Sequence, residues 1–140
     1  MNILVIDDSK EDRDLIINHI KKIEKEEITV DECNCLEKAF QKLSINNYDA
    51  IILDLALPET DGIETVERTI EHLNKHNKET PIIILTGIED YSIGRKAWML
   101  GIKEFLIKDE IQAKDLSRAL SFIALDSKKL DSKQKKSMAT

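Results

Sequence analysis

The stretch AIILDLALPETDG, residues 50–62, places a carboxylate directly behind four apolar residues, and this junction decides the fold. The apolar run at 50–53 is continuous rather than alternating, which is typical of a strand buried on both faces of a parallel sheet. Asp54 follows at the carboxyl end of that strand, where an unpaired acid is costly to bury. We therefore expect the fold to supply partners for Asp54.

Three more continuous apolar runs, and one weaker alternating run, complete the set of predicted strands. The continuous runs are ILVI (3–6), IIIL (82–85) and FLI (105–107), and the alternating one is EITVDEC (27–33), as expected of an edge strand. Helical patterns fill the intervals at 9–25, 36–45, 62–76, 90–100 and 111–125. This alternation predicts an α/β fold: a doubly wound, five-stranded parallel sheet of flavodoxin-like order 2-1-3-4-5, with helices on both faces.

Polar residues follow the central strands at the edge where parallel strands share their carboxyl ends. Asp7 and Asp8 follow the first strand, Asp54 the third, Thr86 the fourth and Lys108 the fifth. Three neighbouring carboxylates repel one another, and an oxygen-only ligand set favours Mg²⁺ as the cation between them. A lysine and a hydroxyl suit the oxygens of a phosphoryl group. The pattern therefore predicts that Asp54 is a nucleophile that becomes an aspartyl phosphate.

Four motifs occur in order at these strand ends: VIDDS, ILDLALPETDG, IIILTG and EFLIK. Each motif alone is weak, but together they are specific, and over residues 1–125 the chain resembles the receiver domains of two-component response regulators, of the single-domain chemotaxis type. The resemblance implies that Asp54 accepts a phosphoryl group from a phosphohistidine of a sensor kinase or phosphotransfer protein. It also implies that Asp7, Asp8, Asp54 and the backbone carbonyl of Ala56 hold Mg²⁺, with Asp7 acting mainly through a coordinated water.

The same resemblance implies a switch that a protein partner reads. Lys108 would pair with Asp54 at rest and with the phosphoryl group afterwards. Thr86 would then move toward the phosphoryl group and let Phe105 change rotamer. These shifts would remodel the surface of the fourth helix, fifth strand and fifth helix.

The chain departs from the family pattern at several positions. Asp109 follows the lysine where relatives usually carry proline, so we expect a trans peptide bond there. Phe105 lacks the hydroxyl that many relatives carry. Ala56 and Ile88 are apolar where relatives often place polar groups, which leaves the phosphoryl lifetime open.

Charge and composition limit the classes of partner. The net charge is −6; residues 126–140 carry five Lys and two Asp, or +3, which leaves −9 on residues 1–125. An acidic body argues against direct nucleic-acid binding. We expect residues 1–125 to form the receiver domain and residues 126–140 a basic, disordered tail. No signal peptide or membrane-length apolar run is evident, so a cytoplasmic location is expected.

Smaller features of the sequence carry predictions of their own. Cys33 and Cys35 are too close for an ordinary disulfide and are expected to be free thiols. Asp61 and Gly62 predict a turn that opens a helix, with Asp61 as its cap. The three histidines, His19, His72 and His76, lie in helical patterns away from the strand ends and are not expected to act as bases.

Several functions stay open on the sequence alone. The leading hypothesis is a stand-alone receiver, which is no enzyme beyond its own phosphorylation and dephosphorylation. The alternatives are a receiver excised from a longer hybrid kinase or regulator, and a pseudo-receiver that binds proteins without phosphorylation. A haloacid dehalogenase-type phosphohydrolase would need an acid at Ala56, and a flavodoxin would need a phosphate loop in place of DDSKED. The kinase, the target and a phosphorylation-dependent homodimer are not specified.

Overall fold

Five strands alternate with five helices in the computed structural model, which describes residues 1–23, 27–87 and 91–138 and, within these, the side chains up to residue 126 except that of residue 91. The strands are β1 (Asn2–Ile6), β2 (Thr29–Cys33), β3 (Ala50–Leu53), β4 (Ile82–Thr86) and β5 (Glu104–Ile107). The helices are α1 (Lys10–Lys21), α2 (Leu36–Ile45), α3 (Ile63–Lys75), α4 (Tyr91–Met99) and α5 (Ala113–Met138).

All strand pairs are parallel, and the sheet order β2-β1-β3-β4-β5 confirms the predicted topology. The register aligns the carboxyl ends of neighbouring strands, because Ile6 lies opposite Leu53 and Thr86 lies opposite Ile107. The residues that follow these ends therefore leave the sheet at one edge, which we call the carboxyl edge.

The sheet separates two apolar cores, as a doubly wound fold requires. One core packs Leu4, Ile51 and Ile84 against the side chains of α2, α3 and α4, and the other packs Val5, Ile52 and Ile83 against α1 and α5. Alternate residues of each central strand thus serve opposite faces, which explains why these strands are continuously apolar. Strand β2 is only partly buried and lies at the edge, as its alternation predicted.

Helix α1 begins as expected and ends earlier than the pattern suggested. Ser9 is its N-cap, since the Ser9 side chain accepts a hydrogen bond from the Asp12 backbone N–H at 3.3 Å. The helix ends at Lys21, whereas the helical pattern extended to residue 25 and so entered residues 24–26, which lie outside the described part of the chain.

Helix α5 begins two residues later than predicted and continues, as backbone, through Met138. It therefore includes most of the segment for which we predicted disorder. The physical reason is local: residues 113–138 hold neither glycine nor proline and are rich in Lys, Ser, Leu and Ala, most of which tolerate a helix well. The division into a domain at 1–125 and a tail at 126–140 stays a prediction.

The cap of α3 was predicted wrongly. Gly62, not Asp61, is the N-cap residue, and no side chain in the described ranges caps this helix start. Gly62 has φ 63°, a conformation that glycine adopts more readily than any residue with a side chain. The chain therefore turns into α3 at the glycine, and Asp61 lies one position too early to cap it.

Candidate functional site

Asp54 lies buried at the carboxyl edge and has the partners that its position requires. One carboxylate oxygen, Oδ1, accepts hydrogen bonds from the Thr86 hydroxyl at 3.0 Å and from the Ala56 backbone N–H at 3.2 Å. The other, Oδ2, accepts from the Lys108 ammonium at 2.9 Å. Three groups, two of them from other strands' ends, thus make burial of this acid tolerable.

Asp7 lies beside Asp54 and is 1% exposed. Its Oδ1 accepts the Ser9 backbone N–H at 2.9 Å, and its Oδ2 forms an ion pair with the Lys108 ammonium at 2.7 Å. Burial raises the pKa of Asp7 above its usual value, Lys108 and the Ser9 N–H oppose this rise, and the neighbouring charge of Asp54 adds to it. The carboxylates of Asp7 and Asp54 therefore share one ammonium group, and the negative charges in the pocket outnumber the positive one.

The three carboxylates among the four predicted metal ligands come together as expected. One carboxylate oxygen from each of Asp7, Asp8 and Asp54 lies within 4.8 Å of the other two, with Asp8 exposed to solvent. Asp7 Oδ2 is buried, and its partner, the Lys108 ammonium, is shared with Asp54 and Asp12. An all-oxygen set of close carboxylates, two of them buried, fits a hard divalent cation such as Mg²⁺. This acidic cluster is typical of the magnesium site of a receiver.

Lys108 is surrounded by carboxylates. Its ammonium lies 2.9 Å from Asp54 Oδ2, 2.7 Å from Asp7 Oδ2 and 2.8 Å from Asp12 Oδ2. Burial alone would lower the pKa of Lys108, but the hydrogen bonds and charges of these three acids raise it above its usual value. Its backbone N–H donates to the Thr86 carbonyl at 2.8 Å, which fixes the start of the side chain at the carboxyl edge.

Asp12 was missed as a member of this pocket. In the sequence it is one of several acids near the start of the helical pattern at 9–25. The structure shows that its carboxylate, 41% exposed, hydrogen-bonds Lys108 across 96 residues of sequence. Its signal was present but weak, because an acid in a helix's first turn is common for reasons of the helix dipole alone.

The loop between β3 and α3 is held from two sides. The Thr65 hydroxyl donates to the Leu55 carbonyl at 2.6 Å and lies 2.7 Å from the Thr60 hydroxyl. Glu59 accepts the backbone N–H groups of Leu36 and Glu37 at 3.2 and 3.0 Å, at the start of α2, where Cys35 gives no side-chain cap. Sequence reasoning did not identify these anchors.

The predicted switch residues take different positions in the fold. Thr86 is fully buried at the end of β4 and donates to Asp54, whereas Phe105 of β5 is partly buried against the core beneath α4. Ile88 lies outside the described residues. The peptide bond between Lys108 and Asp109 is trans, as expected for a residue other than proline.

The cysteines and His72 lie outside the acidic pocket. Cys33 and Cys35 are free thiols, as predicted, and burial raises the pKa of Cys33 to about 12. His72 of α3 stacks on Phe40 of α2 with ring centroids 4.2 Å apart, so packing between the two helices explains the position of the His72 ring. In the described part of the chain, no helix combines the length and the apolarity that crossing a bilayer would need.

Comparison with solved structures identifies the same fold. The receiver domain of Francisella response regulator 1452 is 25% identical, with a TM-score of 0.72, over 90% of this chain and 98% of that one. A two-component response regulator from Clostridium difficile is 24% identical, with a TM-score of 0.74, over 89% and 95% of the two chains. The fold is therefore that of these receivers along most of its length.

Sequence comparison gives the family. The chain is 32% identical over 106 residues to the transcriptional regulatory protein SrrA of Staphylococcus aureus, a match that covers 76% of this chain and 41% of SrrA. It thus spans about two fifths of the length of that relative. Residues 3–121 match the response regulator receiver domain. The acidic pocket, Lys108 and the 2-1-3-4-5 sheet agree with that match, and the chain belongs to the family of response regulator receiver domains.

Proposed function

We propose that Asp54 accepts a phosphoryl group from a phosphohistidine of a sensor kinase or histidine phosphotransfer protein. A single observation carries this proposal: a buried carboxylate is held by a lysine and a threonine within a cluster of acids. A buried ion pair that serves stability alone does not need two additional carboxylates beside it. An acceptor of phosphoryl groups does need them, because they provide the ligands for Mg²⁺.

The chemistry at Asp54 is a nucleophilic displacement. An Asp54 carboxylate oxygen attacks phosphorus, the P–O bond forms, the P–N bond to the donor imidazole breaks, and the imidazole leaves with the electron pair. Mg²⁺, when held by Asp7, Asp8, Asp54 and the Ala56 carbonyl, would screen the negative charge of the transferring group. The product is an acyl phosphate on Asp54, and water later hydrolyses it.

Lys108 and Thr86 are proposed to bind the new phosphoryl oxygens. Both already donate to Asp54, at 2.9 and 3.0 Å, so each needs only a short movement to reach a group attached to that side chain. Two donors directed at developing negative charge would lower the barrier to transfer. Movement of the same two side chains would also transmit the effect of phosphorylation to the rest of the fold.

The structural change that follows phosphorylation is proposed to reach a protein partner through the surface of α4, β5 and α5. Movement of Thr86 would free space near the core into which Phe105 packs. Large apolar side chains are exposed on these helices, with Trp98 and Met99 on α4 52% and 82% exposed and Phe122 on α5 61% exposed. Exposed aromatic and methionine side chains are typical of contact surfaces for proteins.

We propose a stand-alone receiver that works in the cytoplasm and does not bind nucleic acid directly. The −9 charge on residues 1–125 supports the last point. A receiver that forms part of a longer hybrid kinase or regulator is the alternative, since the relative SrrA is longer than the matched segment. A homodimer that forms through the same surface on phosphorylation would be a further outcome of the switch.

Intact-protein mass spectrometry tests the proposal. The chain is incubated with acetyl phosphate with and without Mg²⁺, beside Asp54→Asn and, as a matched control, Asp49→Asn, since Asp49 is an exposed acid at the opposite end of β3. A Mg²⁺-dependent adduct on wild type and Asp49→Asn, absent from Asp54→Asn, is the expected result. No adduct on wild type would overturn the proposal and favour a phosphorylation-independent binding module.

A further inference from the structure

Asp12 differs from the other acids around Lys108 in its exposure and in its relation to the metal site. Its carboxylate is 41% exposed, whereas the Asp7 and Asp54 side chains are 1% and 6% exposed. The carboxylates that come together as metal ligands are those of Asp7, Asp8 and Asp54, and Asp12 is outside that set. Asp12 is therefore the most solvent-exposed of these three carboxylates that pair with Lys108.

Asp12 is also firmly placed. It lies in the first turn of α1, and its backbone N–H donates to the Ser9 side chain at 3.3 Å. The next residue, Arg13, donates to the Asp7 carbonyl at 2.7 Å and pairs with Glu32 at 2.9 Å. The helix start is thus fixed against β1 and β2, and the 2.8 Å contact from Asp12 to Lys108 is made from a fixed position.

From this arrangement we propose that Asp12 is a positioning residue that shares the Lys108 ammonium, strengthens Mg²⁺ binding and slows phosphoryl transfer to Asp54 from anionic donors. This inference rests on the proposed function. In the proposed function, Asp12 is neither a metal ligand nor the phosphoacceptor.

The effect on Mg²⁺ has two causes that act in the same direction. Asp12 adds a fourth negative charge near the site, which attracts the cation. It also draws on the ammonium that otherwise pairs with Asp7 and Asp54, two of the metal's own ligands. Removal of the Asp12 charge therefore weakens Mg²⁺ binding by roughly threefold to tenfold.

The effect on transfer has the opposite sign. A phosphoryl donor is negatively charged and approaches from solvent, where the Asp12 carboxylate repels it. Asp12 also competes with the incoming phosphoryl oxygens for the Lys108 donors. With Mg²⁺ saturating, removal of the Asp12 charge therefore speeds transfer from a dianionic donor by roughly threefold to tenfold.

The test compares Asp12→Asn with wild type in the full 140-residue chain. Asparagine keeps an oxygen that can accept from Lys108 and removes only the charge. Asp14→Asn is the matched control, since Asp14 is an exposed acid on the same helix turn and is not among the carboxylates that pair with Lys108 in the described part of the chain. Asp12→Glu keeps the charge and is the rescue variant. Urea unfolding of each variant shows whether the fold is intact.

Two readouts are needed because a merely structural role would move them together. Isothermal titration calorimetry gives the dissociation constant for Mg²⁺, and mass spectrometry gives the initial rate of adduct formation at saturating Mg²⁺ with acetyl phosphate. Phosphoramidate, a donor with less negative charge at neutral pH, replaces acetyl phosphate in a parallel series. We expect weaker Mg²⁺ binding and faster transfer in Asp12→Asn, a smaller gain with phosphoramidate, and wild-type values in Asp14→Asn and Asp12→Glu.

The outcomes separate this inference from the proposed function. An unchanged Mg²⁺ dissociation constant, or a slower transfer in Asp12→Asn, overturns the role of Asp12 while wild-type adduct formation leaves the function standing. If wild type forms no adduct, the proposed function fails, and the Mg²⁺ titration alone then decides whether Asp12 tunes the metal site.

Discussion

Lys108 and Lys78 are two partly buried lysines whose surroundings differ in one respect. Lys108 lies at the carboxyl edge and contacts three carboxylates, those of Asp7, Asp12 and Asp54. Lys78 lies at the other end of the molecule and donates to backbone carbonyls at the end of α2, those of Leu43 and, at 2.8 Å, Asn46. Both ammonium groups have oxygen partners, but only the partners of Lys108 are charged.

This difference separates a site from a structural contact. Carbonyl oxygens at a helix end are fixed in number and charge, so Lys78 satisfies them permanently and stabilises the fold. Carboxylates change partners when a cation or a phosphoryl group arrives, so the contacts of Lys108 can be redistributed. A lysine among charged oxygens is therefore a candidate for chemistry, and a lysine among carbonyls is a candidate for stability.

Truncation of Lys108 is expected to have the largest effect on phosphorylation. In Lys108→Ala we expect the rate of adduct formation at Asp54 to fall by roughly 100-fold, as when one donor to developing charge is removed. Mass spectrometry with acetyl phosphate measures the rate. Lys78→Ala is the control and should react at the wild-type rate; equal losses in the two variants would contradict the account.

The reciprocal prediction concerns stability. Lys78→Ala should lower the free energy of unfolding by about 1–2 kcal/mol, because two carbonyls at the end of α2 lose a charged donor. Urea titration followed by circular dichroism measures this change. Lys75→Ala, at an exposed position of α3, serves as the matched variant, and an unfolding midpoint for Lys78→Ala equal to that of Lys75→Ala would show that the contact does not stabilise the protein.

Glu59 extends the comparison to an acid that accepts hydrogen bonds from two backbone N–H groups. Glu59→Ala should cost about 1 kcal/mol through loss of the cap on α2. Burial opposes ionisation, but the N–H groups of Glu37 and Leu36 hold the pKa of Glu59 below its usual value. Its contribution is therefore present at neutral pH and is lost as pH falls from the ordinary glutamate pKa through the lowered one.

Urea titrations of wild type and Glu59→Ala at neutral and acidic pH measure this contribution. Glu67→Ala, at an exposed position of α3, is the control. A difference between wild type and Glu59→Ala that stays constant down to acidic pH would contradict the proposed cap.

The smallest effect is expected at His72, which has a ring partner and a buried Nε2 atom without a hydrogen-bond partner among the described residues. Burial, and then the nearby charge of His76, lowers the pKa of His72. Protonation thus favours the unfolded chain, and stability should fall as pH drops below the usual histidine pKa. His72→Phe keeps the stacking and should reduce this fall by a fraction of ~1 kcal/mol in urea titrations across that range. An unchanged pH dependence would contradict this assignment.

The strands and the pocket could be predicted because their signals are local. The continuous apolar runs define the central strands, and the residue after each run must lie at the carboxyl edge of a parallel sheet. Asp7, Asp54 and Lys108 therefore follow from sequence position alone. The edge position of β2 follows from its alternation in the same way.

The remaining features depend on tertiary geometry that no local pattern contains. Asp12 reaches Lys108 only because of the rotation of α1 about its axis, and Glu59 reaches α2 only because of the path of the loop after Asp54. The helix start at Gly62 depends on a backbone angle, so the sequence pair Asp61-Gly62 suggested the wrong cap. The end of α5 was missed because charged, lysine-rich sequence is compatible with both helix and disorder.

The most direct test of the central claim is to locate the phosphoryl group in the chain. After reaction with acetyl phosphate and Mg²⁺, borohydride reduction converts an aspartyl phosphate to homoserine, and peptide mass spectrometry then identifies the position. We expect conversion at Asp54 and at none of Asp7, Asp8 or Asp12. Conversion at another acid, or an adduct that survives in Asp54→Asn at the wild-type level, would contradict it.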